Sequence, residues 1–188
     1  MAVAAIAAVA MVAGCTGDEA KEPGPAAPTT TAAAAAPTVR VTASARGDGS
    51  AGALKQAATR ATPELQTFLT RYVTTAFDPA TARAGYQGFS HYFDPALRQE
   101  VVRDMASLSL GPGGARLTQV STRPAGARAV FLIADGRPVA ATVQLDLDGT
   151  ASADGSQTPI SMRAAFQLER VTGGWRIAAY DSQATVPQ

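Results

Sequence analysis

The chain has 188 residues, a length for one domain or for one domain with a tail. Its 16 basic and 15 acidic side chains leave a net charge of +1, without the basic surplus of a dedicated nucleic-acid binder. One His and one Cys cannot build a Cys/His zinc centre or an internal disulfide.

Ala2 to Val12 is an unbroken apolar run, followed by Ala13, Gly14 and Cys15. Spanning a bilayer takes about 20 apolar residues, so this run has the length of a signal-peptide core instead. The four residues Val12-Ala13-Gly14-Cys15 resemble the lipobox of bacterial lipoproteins. That resemblance implies a signal peptide over residues 1–14, cleavage before Cys15 and a diacylglycerol on its thiol. The mature chain, with palmitate or a similar acyl group, would then sit on the extracytoplasmic face of the cell membrane. Two acyl chains anchor stably where one is marginal, at about 0.8 kcal/mol per buried methylene. No Lys or Arg precedes the run, so the expectation carries either a start upstream of Met1 or inefficient export. Arg supplies 14 of the 16 basic residues, in keeping with a high-GC bacterial genome.

Residues 15–61 are mostly Ala, Pro, Thr, Gly and Ser, with no aromatic side chain. Such a segment buries too little surface to offset the entropy of ordering it, which predicts a disordered tether. Leu54 to Thr59 is a short helical lead-in at most. Arg46-Gly47-Asp48 spells the integrin tripeptide, a match common by chance.

Residues 62–188 hold every aromatic residue and are predicted to form the domain. Thr62-Pro63-Glu64 is a helix-start signal, followed by Leu65, Phe68, Leu69, Tyr72, Val73, Ala76 and Phe77 at helical spacing. Asp78-Pro79 opens a second helix with Ala82, Tyr86, Phe89 and Phe93 inward, and Asp94-Pro95 a third with Leu97, Val101 and Met105. From Ala115 the period changes to two. Strands are predicted over 116–122 and 127–134, the second with a continuous apolar centre. A type I′ turn at Asp135-Gly136 leads into a strand that buries Val139, Ala141, Val143, Leu145 and Leu147. A polar loop follows over 149–159, then a strand burying Ile160, Met162, Ala164, Phe166 and Leu168. After Gly173-Gly174, Trp175, Ile177 and Ala179 form the inner face of the last strand, with Trp175 facing the helix of Phe68 and Tyr72.

Helices followed by antiparallel strands give an α+β order. Three helices, long one-sided hairpins and a terminal Trp-Arg-Ile strand resemble the nuclear-transport-factor-2-like cone. There, N-terminal helices pack on a curved antiparallel sheet around a pocket. The chain is also similar to Mce-associated and other extracytoplasmic lipoproteins of high-GC bacteria that carry this fold.

Three residues are candidates for chemistry. His91 is the sole histidine, on the solvent side of its helix. Asp181 falls on the inner face of the last strand by simple alternation, where a carboxylate in an apolar mouth would titrate high and act as a base. If the strand has already ended there, it begins the C-terminal tail instead. Tyr86 either lines the same pocket or is core. Asp146, Asp148 and Asp154 form no recognised calcium loop, and charge pairs on a solvated sheet face account for them. No nucleophile elbow, phosphate loop or dinucleotide fingerprint occurs. No metal and no cofactor is expected.

The reading is a non-catalytic, lipid-anchored envelope domain that binds a protein partner or an apolar ligand. Two alternatives stand beside it: a small-pocket isomerase or dehydratase, and a subunit of a conjugation, secretion or transport machine. Its oligomeric state is not legible.

Overall fold

A computed structural model describes residues 36–186. The expected signal peptide, Cys15 and the first part of the expected tether lie outside those residues. The described chain begins with strand β1 (Val39–Gly47) and helix α1 (Ala51–Ala76), followed by helix α2 (Pro79–Arg83). Two single 3-10 turns then lead to the short helices α3 (Arg98–Arg103) and α4 (Met105–Leu108). The sheet is completed by β2 (Gln119–Thr122), β3 (Ala125–Ala134), β4 (Arg137–Ala153), β5 (Ser156–Val171) and β6 (Gly174–Thr185). This is the α+β class, with helices packed on a curved mixed sheet.

The tether expectation fails over 39–61. β1 alternates Val39, Val41, Ala43 and Ala45 toward the core with Arg40, Thr42, Ser44 and Arg46 outward. It pairs in parallel with β3, so the sheet is mixed rather than wholly antiparallel. Of the tripeptide Arg46-Gly47-Asp48, the first two residues end this strand and Asp48 follows it. A Cβ on Gly47 would stand 2.0 Å from the Ile133 carbonyl oxygen, and its φ is +128°, so glycine is required there for packing.

α1 starts eleven residues before Thr62. Ser50 caps it, accepting from the Ala53 N–H at 3.3 Å. Pro63 therefore lies inside the helix rather than at its first position. The run of Ala57, Ala58 and Ala61, buried in line with Leu65 and Leu69, extends the apolar stripe backward past the proline. Asp78 does cap α2 as expected, but Gly85 and Gly88, at φ +68° and +79°, hold the helix to five residues.

The strand order is β1-β3-β4-β5-β6, with β2 paired to the far end of β4. Asp135 and Gly136 have φ of 50° and 71°, the geometry of a type I′ turn. The polar loop expected over 149–159 is instead the tip of a long hairpin. β4 and β5 stay paired to Ala153 and Ser156, and only Asp154-Gly155 turn. β3 is not buried on both sides: Val130 and Leu132 are 37% and 50% exposed on the outer face. In β6 the register shifts between Gln167 and Leu168 of β5, because Ala178 is an extra residue opposite that step.

The core is a ring cluster between α1 and the sheet. Tyr72 stands at its centre, with ring centroids 5.5 Å from Phe89, 5.6 Å from Tyr92, 6.2 Å from Phe93 and 5.2 Å from Phe166. Trp175 does not face Phe68 and Tyr72. It packs on Phe131 at 5.7 Å, and the Arg170 guanidinium lies 5.2 Å over its ring. Arg170 in turn bonds Glu64 of α1 at 2.7 Å, so the contact between helix and last hairpin is ionic there.

Candidate functional site

The space between α1 and the sheet is packed with side chains. Tyr72, Phe89, Phe93, Phe131 and Phe166 are all essentially sealed from solvent. Two polar groups buried there bond within the protein. The Tyr72 hydroxyl donates to the Leu108 carbonyl at 2.9 Å, and burial pushes its pKa well up. Ser109 donates to the Met105 carbonyl at 2.7 Å and accepts from the Gly111 N–H.

The three candidate residues do not meet. His91 is exposed, on the 3-10 turn of Phe89–Tyr92. Tyr86 is buried beside Phe89, with φ of 55°, and its hydroxyl points at the Gly111 carbonyl at 3.4 Å. Burial raises its pKa, although hydrogen bonding to Ser109 and to the Leu110 and Gly111 backbone opposes that.

Asp181 is on the outer face, contrary to simple alternation. The strand continues past it to Thr185, so it is not the start of a tail either. The extra residue Ala178 inverts the alternation, because side chains repeat every two residues and a one-residue insertion exchanges the faces. Tyr180 turns inward in its place, 5.5 Å from Phe93, and donates to Asp104 at 3.0 Å. Its pKa rises through burial first and then through that carboxylate.

Asp146 lies between Arg128 at 3.9 Å and Arg163 at 3.7 Å on the outer face, a charge ladder across three strands. Asp148 is on the same strand, and Asp154 is in the hairpin tip. Among the described residues no three His, Cys, Asp or Glu side chains gather as metal ligands.

A groove of about 1060 Å³ runs between β1 and α1, and sequence reasoning missed it because it assigned β1 and the first turns of α1 to a tether. One wall is Val41 to Ala45; the other includes Leu54, Ala58, Thr59, Thr62 and Gln66. β1 is the last strand on that side of the sheet, so its far edge faces the groove. The signal was present in the sequence: alternation over 39–46 is as regular as in β4.

No protein-family model matches the chain, and no curated protein matches it. Among solved structures it is similar to an IcmL-like type IV secretion system protein from Legionella pneumophila subsp. pneumophila strain Philadelphia 1. The identity is 11%, the match covers 69% of this chain and 95% of that one, and the TM-score is 0.43. Among the described residues no helix is long and apolar enough to cross a membrane.

Proposed function

We propose that the protein is a lipid-anchored, extracytoplasmic docking domain of a bacterial envelope, which engages a protein partner through its surface. The observation that carries this reading is the buried aromatic cluster between α1 and the sheet. Five buried rings, Tyr72, Phe89, Phe93, Phe131 and Phe166, pack the interior with side chains. Of the two ligand classes expected from the sequence, this leaves a protein partner as the better fit. The candidate residues add no catalytic constellation, since His91 and Asp181 face solvent on different elements and Tyr86 is core. The anchor rests on Val12-Ala13-Gly14-Cys15.

Two measurements test the two halves. Cells grown with a clickable fatty acid incorporate label into the wild type and not into Cys15→Ser. Equal labelling, or a cytosolic wild type, overturns the anchor. For docking, in-cell photocrosslinking from the exposed surface yields discrete protein adducts. A tightly bound lipid recovered from inside the purified domain, with no adducts, overturns docking.

A further inference from the structure

The groove has an unfinished hydrogen-bonding edge. In a parallel pair, each residue directs its N–H and C=O to the same side, and the side alternates along the strand. The Thr38 carbonyl accepts from the Ala125 N–H at 2.8 Å, and the Asp48 N–H donates to the Ile133 carbonyl at 3.2 Å. Even-numbered residues of β1 therefore bond to β3. Val41, Ala43 and Ala45 direct their N–H and C=O into the groove, and none of them has a partner there among the described residues. Solvent-exposed edges are usually blunted by proline, lysine or a bulge. The centre of β1, from Val41 to Ala45, has none of these.

The side chains around this edge define what would fit. A strand added to β1 places alternate residues over Leu54, Ala58, Thr59 and Thr62, a wall of small apolar and hydroxyl groups. The intervening residues emerge on the outer face next to Arg40 and Arg46, neither of which is in an ion pair among the described residues. Among the described residues, Lys55 is the one charged side chain lining the groove. Basic groups thus stand at both ends and in the wall. A second copy of the chain fits less well: antiparallel pairing of two β1 strands centred on Ala43 sets Arg40 of each beside Arg46 of the other, a like-charge contact.

Resting on the docking function proposed above, we infer that the free edge of β1 is a strand-addition site for an extended segment of a partner protein, with small or β-branched residues alternating with Asp or Glu. Main-chain bonds to Val41, Ala43 and Ala45 give affinity, and Arg40, Arg46 and Lys55 select the acidic register.

The test uses the full-length chain in detergent micelles. The probe is an acetylated peptide alternating Val and Glu over seven positions, with a Val/Lys peptide as control. The Val/Glu peptide slows amide exchange at Val41, Ala43 and Ala45 at least tenfold, and the control does not. Ala43→Pro removes one outward N–H while leaving the bonds to β3, and abolishes that protection. Should Ala43→Pro unfold, the pair Arg40→Glu and Arg46→Glu carries the test and reverses the preference between the peptides. No protection by the Val/Glu peptide, or equal protection by both, overturns the inference. Protection already present in the free chain, growing with concentration, shows that a second copy holds the edge and also overturns it. Photocrosslinking separates the two levels: adducts mapping elsewhere and surviving in Ala43→Pro defeat the β1 site but keep the docking function. Absence of adducts anywhere defeats both.

Discussion

Asp78 shows how one side chain sets a local boundary. Its carboxylate accepts from the N–H groups of Ala80 and Thr81 at 3.0 and 3.1 Å and from the Thr81 hydroxyl at 2.8 Å. Partial burial raises its pKa, but those bonds and the nearby Arg83 outweigh it, and the net shift is downward from 3.8. A lowered folded pKa contributes stability that is present above the ordinary value and lost as pH falls through the folded one. Asp78→Ala should cost about 1 kcal/mol at pH 7, the usual scale for a cap. In urea denaturation the gap between wild type and variant should shrink from pH 5 down to about pH 2 (a span set by ordinary carboxylate titration). Trp175 is the other residue with a large individual effect. It is 6% exposed and locked between Phe131 and Arg170. Trp175→Ala should cost about 3–5 kcal/mol, read as a loss of most of the denaturation midpoint. Its buried indole N–H has no hydrogen-bond partner among the described residues, so the stabilisation comes from packing.

At the scale of elements, the informative one is β6. Its first half buries Trp175 and Ile177, and its second half turns Tyr180, Ser182 and Ala184 inward. Ala178 is the step between the two. Deleting Ala178 should remove the bulge and leave strict alternation with the faces unchanged, Tyr180 still inward and Asp181 still outward, because Ile177 and Ala179 then face the consecutive residues Leu168 and Gln167. The Tyr180–Asp104 and Ser182–Ser107 hydrogen bonds should survive. The expected result is cooperative thermal unfolding, checked by near-ultraviolet circular dichroism. A deletion variant that no longer melts cooperatively would show that the strand needs the bulge in order to pack.

For the whole molecule, the decisive feature is that the sheet begins before the helices. β1 closes the sheet beside β3, and the first turns of α1 bury Ala57, Ala58 and Ala61 against it. A chain starting at Thr62 would leave the β3 edge open and strip the first turns from α1. It should be aggregated or unfolded, whereas one starting at Pro37 should fold with a melting temperature near that of the full chain. Circular dichroism melts of the two truncations decide this. The same arrangement explains why the surface is the place to look for function: the layers close tightly on their own aromatic rings, and what stays open is an edge.

The α+β class, the Asp78 cap, the Asp135-Gly136 turn and the inner faces of β4 and β5 are legible in the sequence. Each depends on contacts a few residues apart or on an uninterrupted period, and both are written locally. Tertiary structure alone decided three things. β1 became a strand because β3, about 86 residues further along by register, supplies its hydrogen bonds; Ala and Val bury too little to order the segment without that partner. Thr62-Pro63 carried a start signal but lies in mid-helix, because the alanine stripe before it gains burial against β1 that outweighs a missing helix bond. Asp181 faces outward because one unpaired residue in β6 exchanges the faces beyond it, and no local property of Ala178 marks it as that residue.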